Sequence, residues 1–356
     1  MTDINVFAPI NQLGYGIASL NIIKNLAKKK TVGYWSIGQP QITDQQTFEL
    51  IKSLQQNATY FNPVAPSLKI WHQFDMALRV GKGTNIGFPI FELDEFNAVE
   101  NHHLHCLDRI FVCSEWAKNV IRSEMNADVR VVPLGVDSKI FNWNNTFNFV
   151  RTEKCIFFNC GKWEVRKGHD VLIEAFNRAF SANDKVELWM MCDNPFYSPE
   201  EQKEWESLYN QSNCKIIHRV NTQIELADVM AKTTCGVFPS RAEGWNLELL
   251  EMMALGKPVI ATNYSAHTEF CNNSNSYLIN ITDKEDAYDG KWFNGQGQWA
   301  SLNEPQIDQL AGYLRFIYNA WKDSNRAVLM NDEGIKTAQK FSWEHTADLV
   351  IENSLC

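Results

Sequence analysis

Two carboxylates eight residues apart, Glu243 and Glu251, flank a Gly244-Trp245-Asn246 turn and the apolar run that begins at Leu247. A carboxylate accepts two or more hydrogen bonds, so such a pair suits the vicinal hydroxyls of a ribose or a hexose. Cys235–Pro239 reads as a strand, and Leu247–Leu255 as a short helix stopped by Gly256 and Pro258. Arg241–Asn246 is then the loop from a strand's carboxyl end to a helix's amino end, where ligands sit in doubly wound sheets. The backbone N–H groups there, from Gly244 through Trp245 and Asn246 to Leu247, favour an anion such as phosphate. Hydroxyls on the glutamates and phosphate on the amides would avoid a clash of charge. Spacing alone also admits a plainer reading, a solvated helix start whose acidic residues suit the helix dipole.

A second loop has the opposite charge. The strand pattern CIFFNC runs into Gly161-Lys162-Trp163-Glu164-Val165-Arg166-Lys167-Gly168, and the helix pattern DVLIEAFNRAF follows. Lysines and an arginine at a helix start add point charges to the dipole and make an anion site. The plainer reading is a basic loop in water.

Here the residues resemble a known family. EGWNLELLE, Glu243 to Glu251, followed by MALGKPVIAT, is similar to the E-x7-E signature of group-1 (family four) glycosyltransferases. These are retaining, nucleotide-sugar-dependent enzymes of the GT-B fold. The resemblance implies that Glu243 contacts donor-sugar hydroxyls and Glu251 the nucleotide ribose. The basic loop resembles the family's G-R-x4-K-G motif, whose two cations hold the donor diphosphate. Lys167 matches the family lysine, and Lys162 stands where arginine is usual, with Arg166 one residue out of step as a compensating cation. Trp245-Asn246 replaces the family's usual Phe-Gly.

The resemblance implies a front-face reaction in which the leaving phosphate oxygen takes the acceptor proton, with no protein nucleophile and no metal or other cofactor. A UDP- or GDP-sugar is the expected donor. The acceptor is a hydroxyl, on a glycan, a lipid-linked glycan or another molecule. A sugar-nucleotide epimerase or a phosphorylase of the same fold, or a non-catalytic nucleotide-binding scaffold, remains as an alternative.

The first half carries fewer landmarks. Gly14-Tyr15-Gly16 resembles the family's first glycine-rich loop, although a lone GxG is also an ordinary tight turn. Many family members end a strand of this half with a histidine that contacts the donor sugar. Here the strand Asn85–Phe91 ends at Glu92, and the preceding strand closes at His72 in IWHQFD. Glu92 is placed ahead of His72 for that role, and a strand end with no catalytic part is the plain reading. Ser114 and the Pro133–Asp137 stretch also resemble family landmarks.

The elements that must position these residues alternate along the chain. Strands are expected at 5–9, 31–36, 68–72, 85–91, 109–114 and 129–132, with helices at 17–28, 97–107 and 115–125. Alternation restarts at Cys155 and continues through strands at 186–192, 215–219, 235–239 and 258–262, with helices at 170–180, 198–209 and 223–232. Late helices are expected at 305–321, 331–340 and from Ser342. That pattern means parallel sheets with helices on both faces, an α/β fold. The expected GT-B architecture is two Rossmann-like domains facing across a cleft. Residues 1–145 would form the acceptor-side domain, completed by a crossover helix at 341–356, and 146–340 the nucleotide-sugar domain.

A chain of 356 residues can bury two such cores. A net charge of −9 argues against an extended nucleic-acid face. No basic segment leads into a long apolar run at the start, and no stretch approaches about 18 apolar residues, so neither a secretory signal nor a membrane span is expected. Nine scattered cysteines without a CxxC pair read as buried thiols, and a cytoplasmic location is expected. His102, His103, His105 and Cys106 share a helical stretch without a second ligand group, so no metal site is expected. Lys24, Lys28, Lys29 and Lys30 complement the end of the first helix, with weak contact to anionic lipid as the other reading. In the aromatic, glycine-rich loop Asp289–Trp299, two readings stand for Trp292 and Trp299, stacking on a sugar or anchoring the crossover.

Overall fold

The computed structural model describes residues 1–146 and 152–355; the end of the polar run 142–148 and Cys356 lie outside the described residues. The chain divides into two compact units, Met1–Gly135 with Phe341–Cys356, and Val136–Lys340. The division falls within the Pro133–Asp137 stretch.

In the first unit the chain runs β1 (Ile4–Ala8), α1 (Gly14–Leu26), β2 (Val32–Ser36), α2 (Gln45–Thr59), β3 (Ser67–Trp71), β4 (Asn85–Pro89), α3 (Ala98–His105), β5 (Arg109–Val112), α4 (Glu115–Glu124) and β6 (Val129–Val131). The strands form one parallel sheet in the order β2-β1-β3-β4-β5-β6. Order reverses between β1 and β3, and loops at the carboxyl ends of those two strands flank the switch point. The terminal helix α12 (Trp343–Leu355) belongs to this unit and packs on α1. Gly135 lets it seat, because a Cβ there would fall 2.2 Å from Trp343 N. Lys29 pairs with Glu344 at 3.1 Å and Asp348 at 2.6 Å, and Lys28 reaches Asn25 Oδ1 at 2.8 Å. Lys29 therefore serves the joint between the helices, and Lys28 serves the end of α1 itself.

The second unit runs β7 (Cys155–Gly161), α5 (His169–Ala179), β8 (Val186–Cys192), α6 (Pro199–Ser207), β9 (Cys214–Ile216), α7 (Gln223–Ala231), β10 (Cys235–Phe238), α8 (Leu247–Ala254), β11 (Val259–Thr262) and β12 (Tyr277–Ile279). A hairpin of β13 (Lys284–Tyr288) and β14 (Asn294–Ala300) precedes α9 (Glu304–Lys322), α10 (Arg326–Leu329) and α11 (Asp332–Lys340). The main sheet is again parallel, β12-β11-β10-β7-β8-β9, with its switch point between β7 and β10. β7 is buried from Cys155 to Asn159, which is why CIFFN reads as a continuous run rather than an alternating one. Gly256, at φ +70°, ends α8 in the left-handed conformation that closes a helix. Two parallel six-stranded sheets in successive units, each with helices, make this an α/β fold with the elements that the GT-B expectation requires.

The helices α2 and α10 and the strands β12, β13 and β14 are additions to the sequence expectation. Among the described residues no helix is long and apolar enough to cross a membrane.

Candidate active site

The two motif loops meet at the switch point of the second unit. Gly168, at φ +69°, closes the basic loop, and a Cβ there would lie 2.0 Å from the Pro239 carbonyl oxygen at the end of β10. Only glycine permits that approach. The Arg241 N–H then donates to Arg166 O at 2.7 Å, fastening one loop to the other. The Arg241 side chain spans Asp170 at 2.8 Å, Glu285 at 2.6 Å and Val165 O at 2.6 Å. Trp163 anchors the basic loop from beneath, fully buried against His169 and stacked on Trp205.

Charges in this junction are paired in a chain. Glu243, 4% exposed, accepts from Lys167 Nζ at 2.7 Å and Ser240 Oγ at 2.7 Å through one oxygen, and from Arg166 at 3.0 Å through the other. Arg166 is itself buried, donating also to Ala242 O at 2.8 Å and Glu164 at 2.6 Å. Lys162 completes the row at 2.5 Å from Glu164. Three cations face two carboxylates, so the group keeps a net positive charge. Burial works to raise the Glu243 pKa, but the Lys167 and Arg166 charges outweigh it and hold the carboxyl well below its usual range.

Geometry thus divides the basic residues. Lys162 and Lys167 keep part of their side-chain surface open, at 31% and 12%. Arg166 instead locks Glu243 and Glu164 together from inside.

At the start of α8, Asn246 holds φ +82°, a conformation that residues other than glycine rarely adopt but asparagine tolerates. Its Oδ1 accepts the Leu249 N–H at 3.2 Å, capping the helix, and its Nδ2 donates to His267 Nε2 at 3.0 Å. His267 Nδ1 in turn lies 3.1 Å from Thr262 O, which fixes that nitrogen as the protonated one. Burial lowers the His267 pKa to about 4, so the ring is neutral. Trp245 is buried against Phe270, leaving its backbone rather than its ring to face a ligand. Among the described residues nothing accepts the N–H groups of Gly244 and Leu247.

Glu251 stands one turn further on, 6% exposed. Among the described residues no donor reaches its carboxyl group. Burial, with the nearby Glu248 charge, pushes its pKa well above the carboxylate range. The two glutamates of the motif are therefore opposites: Glu243 is neutralised by the fold, and Glu251 is left for something else.

In the first unit Tyr15 gathers the candidate residues. Its hydroxyl donates to Ile90 O at 2.5 Å and accepts the Ile90 N–H at 3.0 Å, and it lies 3.2 Å from Trp71 O. The α1 start is thereby tied to the ends of β3 and β4. The His72 ring centroid sits 4.6 Å from that of Tyr15 and is stacked on Phe74, and the Glu92 charge helps to raise the Tyr15 pKa beyond the effect of burial. Gly14 is open to solvent, whereas a Cβ on Gly16 would strike Asn11 N at 2.2 Å. Gly14–Gly16, expected as a loop before the helix, is instead the first turn of α1, and it shares one end of this sheet with His72 and Glu92. On α3, His103 Nδ1 accepts the Met76 and Ala77 N–H groups at 3.2 and 3.1 Å, and His105 Nδ1 lies 2.7 Å from Asn101 O.

Sequence reasoning missed Glu164, Ser240, Arg241 and His267. Only the alternation of charge in KWEVRK hinted at the first. The rest act across the fold.

Residues 154–290 match the family model described as Glycosyl transferases group 1. An uncharacterised glycosyltransferase of Methanocaldococcus jannaschii is 30% identical over 237 residues, 67% of this chain and 56% of that protein. The chain thus spans just over half the length of that relative. Among solved structures, sucrose-phosphate synthase from Thermosynechococcus elongatus superposes with a TM-score of 0.72 at 15% identity, covering 98% of this chain and 97% of that one. Anabaena HepE, solved in complex with UDP and glucose, gives 0.70 at 14% identity over 99% of both chains. Likeness at that identity speaks to fold alone.

Two predictions follow from the geometry. Asn246→Gly should keep the left-handed turn and lose only the cap and the His267 link, whereas Asn246→Ala adds about 1–2 kcal/mol of backbone strain. Urea unfolding should therefore rank alanine below glycine. The two glutamates should also respond oppositely to pH. Glu243 contributes stability above its unfolded pKa that is lost in acid, so Glu243→Gln should cost about 3 kcal/mol near neutrality, a gap that closes as pH falls. The raised pKa of Glu251 makes the native state lose stability as pH climbs above the ordinary 4.5. Glu251→Gln should then melt higher than the parent at about pH 8 and alike at about pH 4. Melting curves of the two variants across pH check both signs.

Proposed function

We propose that this chain, whose residues 154–290 belong to the group 1 glycosyl transferases, transfers a sugar from a nucleoside diphosphate donor to a hydroxyl acceptor with retention at the anomeric carbon. The observation that carries the reading is Glu251, a nearly buried carboxyl group with no donor among the described residues, beside amides that none of those residues uses and two partly open lysines at one switch point. Vicinal ribose hydroxyls supply the donors that Glu251 lacks, and binding them favours its ionised form. The diphosphate falls to Lys167, Lys162 and the Gly244–Leu247 amides.

Breaking the sugar–phosphate bond builds negative charge on the leaving diphosphate. Fixed cations and amides that need no rearrangement stabilise that charge in the transition state, so the reading assigns no metal or cofactor. Glu243 uses three acceptor positions on Lys167, Arg166 and Ser240, and a carboxylate offers about four. The fourth suits one hydroxyl of the donor sugar and orients the ring. Held as a salt-bridged anion, Glu243 acts by position and by charge rather than as a nucleophile. The leaving phosphate oxygen then takes the acceptor proton.

HepE was solved with UDP-glucose, which brings a uridine diphosphate donor forward, with GDP-sugars next. In the first unit, we assign contact with the donor sugar to Glu92, with His72 as the other candidate, and approach to phosphate and acceptor to the Gly14–Gly16 start of α1. A glycan or lipid-linked glycan is the acceptor class.

Calorimetric titration with UDP and GDP tests the reading. One of the two should bind, and Glu251→Ala should weaken it by about ten- to a hundredfold, the loss of one charge-assisted hydrogen-bonding group. Unchanged affinity in the variant would remove Glu251 from the nucleotide site.

A further inference from the structure

The loop Asp289–Trp299 is the sequence feature that the donor site does not use. Its two tryptophans have separate fates. Trp299 is fully buried, edge to face with Phe293 at 4.7 Å, and roots the β13–β14 hairpin. Trp292 is 37% exposed at the tip. Asp289 Oδ1 accepts the N–H groups of Lys291, Trp292 and Phe293 at 2.8 to 2.9 Å, so the tip is a built turn. Gly290 at φ +74° completes it.

The hairpin carries Trp292 to a second exposed ring. Phe196, 58% exposed, lies 6.2 Å from Trp292, and Tyr197 meets Trp292 edge-on at 5.8 Å. Lys291 Nζ stands 4.4 Å from the Tyr197 ring centroid and 4.9 Å from that of Trp292, and pairs with Glu201 at 2.5 Å. The platform also adjoins the donor site on both sides. Lys162 Nζ lies 5.7 Å from the Phe196 ring, and Asn194 fastens the Phe196 loop to Trp163 O at 2.9 Å. At the hairpin's base, Ala300 N–H donates to Arg241 O at 3.0 Å, and Glu285 takes the Arg241 guanidinium. The loop bearing Glu243 and the hairpin bearing Trp292 are one construction.

We propose that the exposed rings of Phe196 and Trp292, braced by Tyr197 and with Lys291, Glu201 and Lys162 beside them, form a carbohydrate subsite that receives a pyranose ring of a glycan beside the donor site. This rests on the glycosyl-transfer reading above. The C–H face of a pyranose carries partial positive charge and stacks on the negative face of an aromatic ring. Ammonium and carboxylate groups at the rim suit its hydroxyls, the pattern of apolar walls with few polar groups that fixes a small ligand. Exposed aromatics held by a preformed turn lose little entropy on binding.

The test uses protein labelled with 5-fluorotryptophan, the Trp292 fluorine signal being assigned by its loss in Trp292→Phe. Maltotriose, cellotriose and uridine are titrated in turn, with UDP present for the trisaccharides. The proposal expects the Trp292 signal to shift with a trisaccharide and not with uridine, and Phe196→Ala to weaken that binding about tenfold. No shift with either trisaccharide overturns it, as does an affinity indifferent to Phe196→Ala. A shift with uridine alone would make the platform a nucleobase site instead. Calorimetry with UDP is run on the parent and on Phe196→Ala. If the parent fails to bind UDP, the glycosyl-transfer reading falls on its own account. If UDP binds both proteins alike and no trisaccharide moves the signal, the platform alone is wrong.

Discussion

Glu243 buries its carboxylate where the ends of β7 and β10 meet, and Lys167, Arg166 and Ser240 hold it there. A lone carboxylate in that position would be prohibitively costly; with two cations it stays ionised and fixes the loops around it. The consequences run outward along the pairs. Arg166 passes to Glu164, Glu164 to Lys162, and Lys162 to the Phe196 ring. On the other side, the Glu243 backbone N–H donates to Ser265 Oγ at 2.8 Å and its carbonyl accepts the Ala266 N–H at 3.2 Å. That places the turn bearing His267 under Asn246. One buried ion therefore sets the two partly open lysines, the α8 start and the position of the hairpin base.

Stability and function part company one turn later. Glu251 sits in the same helix with nearly the same burial but without a cation, and its carboxyl resists ionisation. A protein optimised for stability alone would replace it with an apolar residue. Left-handed Asn246 is a similar concession, since alanine or leucine would serve a plain helix start poorly at φ +82° and glycine would abandon the His267 link. Such costs concentrate where a ligand is awaited.

Much of this was readable from the residues, and for physical reasons. Strands such as CIFFN and helices such as DVLIEAFNRAF carry their burial in their periodicity. The motif loops are legible because glycine, lysine and glutamate must fall within short stretches for the two loops to meet at one switch point. The pairings within the site were not legible. Arg166 and Glu243 lie 77 residues apart, and no local pattern tells a phosphate-binding arginine from one that locks a carboxylate. The helix α2 escaped because its Gln- and Asn-rich sequence buries only Thr47, Ile51 and Leu54 and leaves Phe48 exposed. The hairpin escaped because Gly290, Gly295 and Gly297 interrupt it and its ladder is mostly polar.

The most direct measurement is donor turnover without acceptor: the intact chain incubated with UDP-, GDP-, ADP- and CDP-sugars, the nucleotide products read by mass spectrometry. A site built around a salt-bridged Glu243 and an expectant Glu251 predicts slow release of a single nucleoside diphosphate, as water stands in for the acceptor. If no donor is cleaved and none of the bare nucleotides binds, the loops at the β7–β10 switch point are not a nucleotide-sugar site.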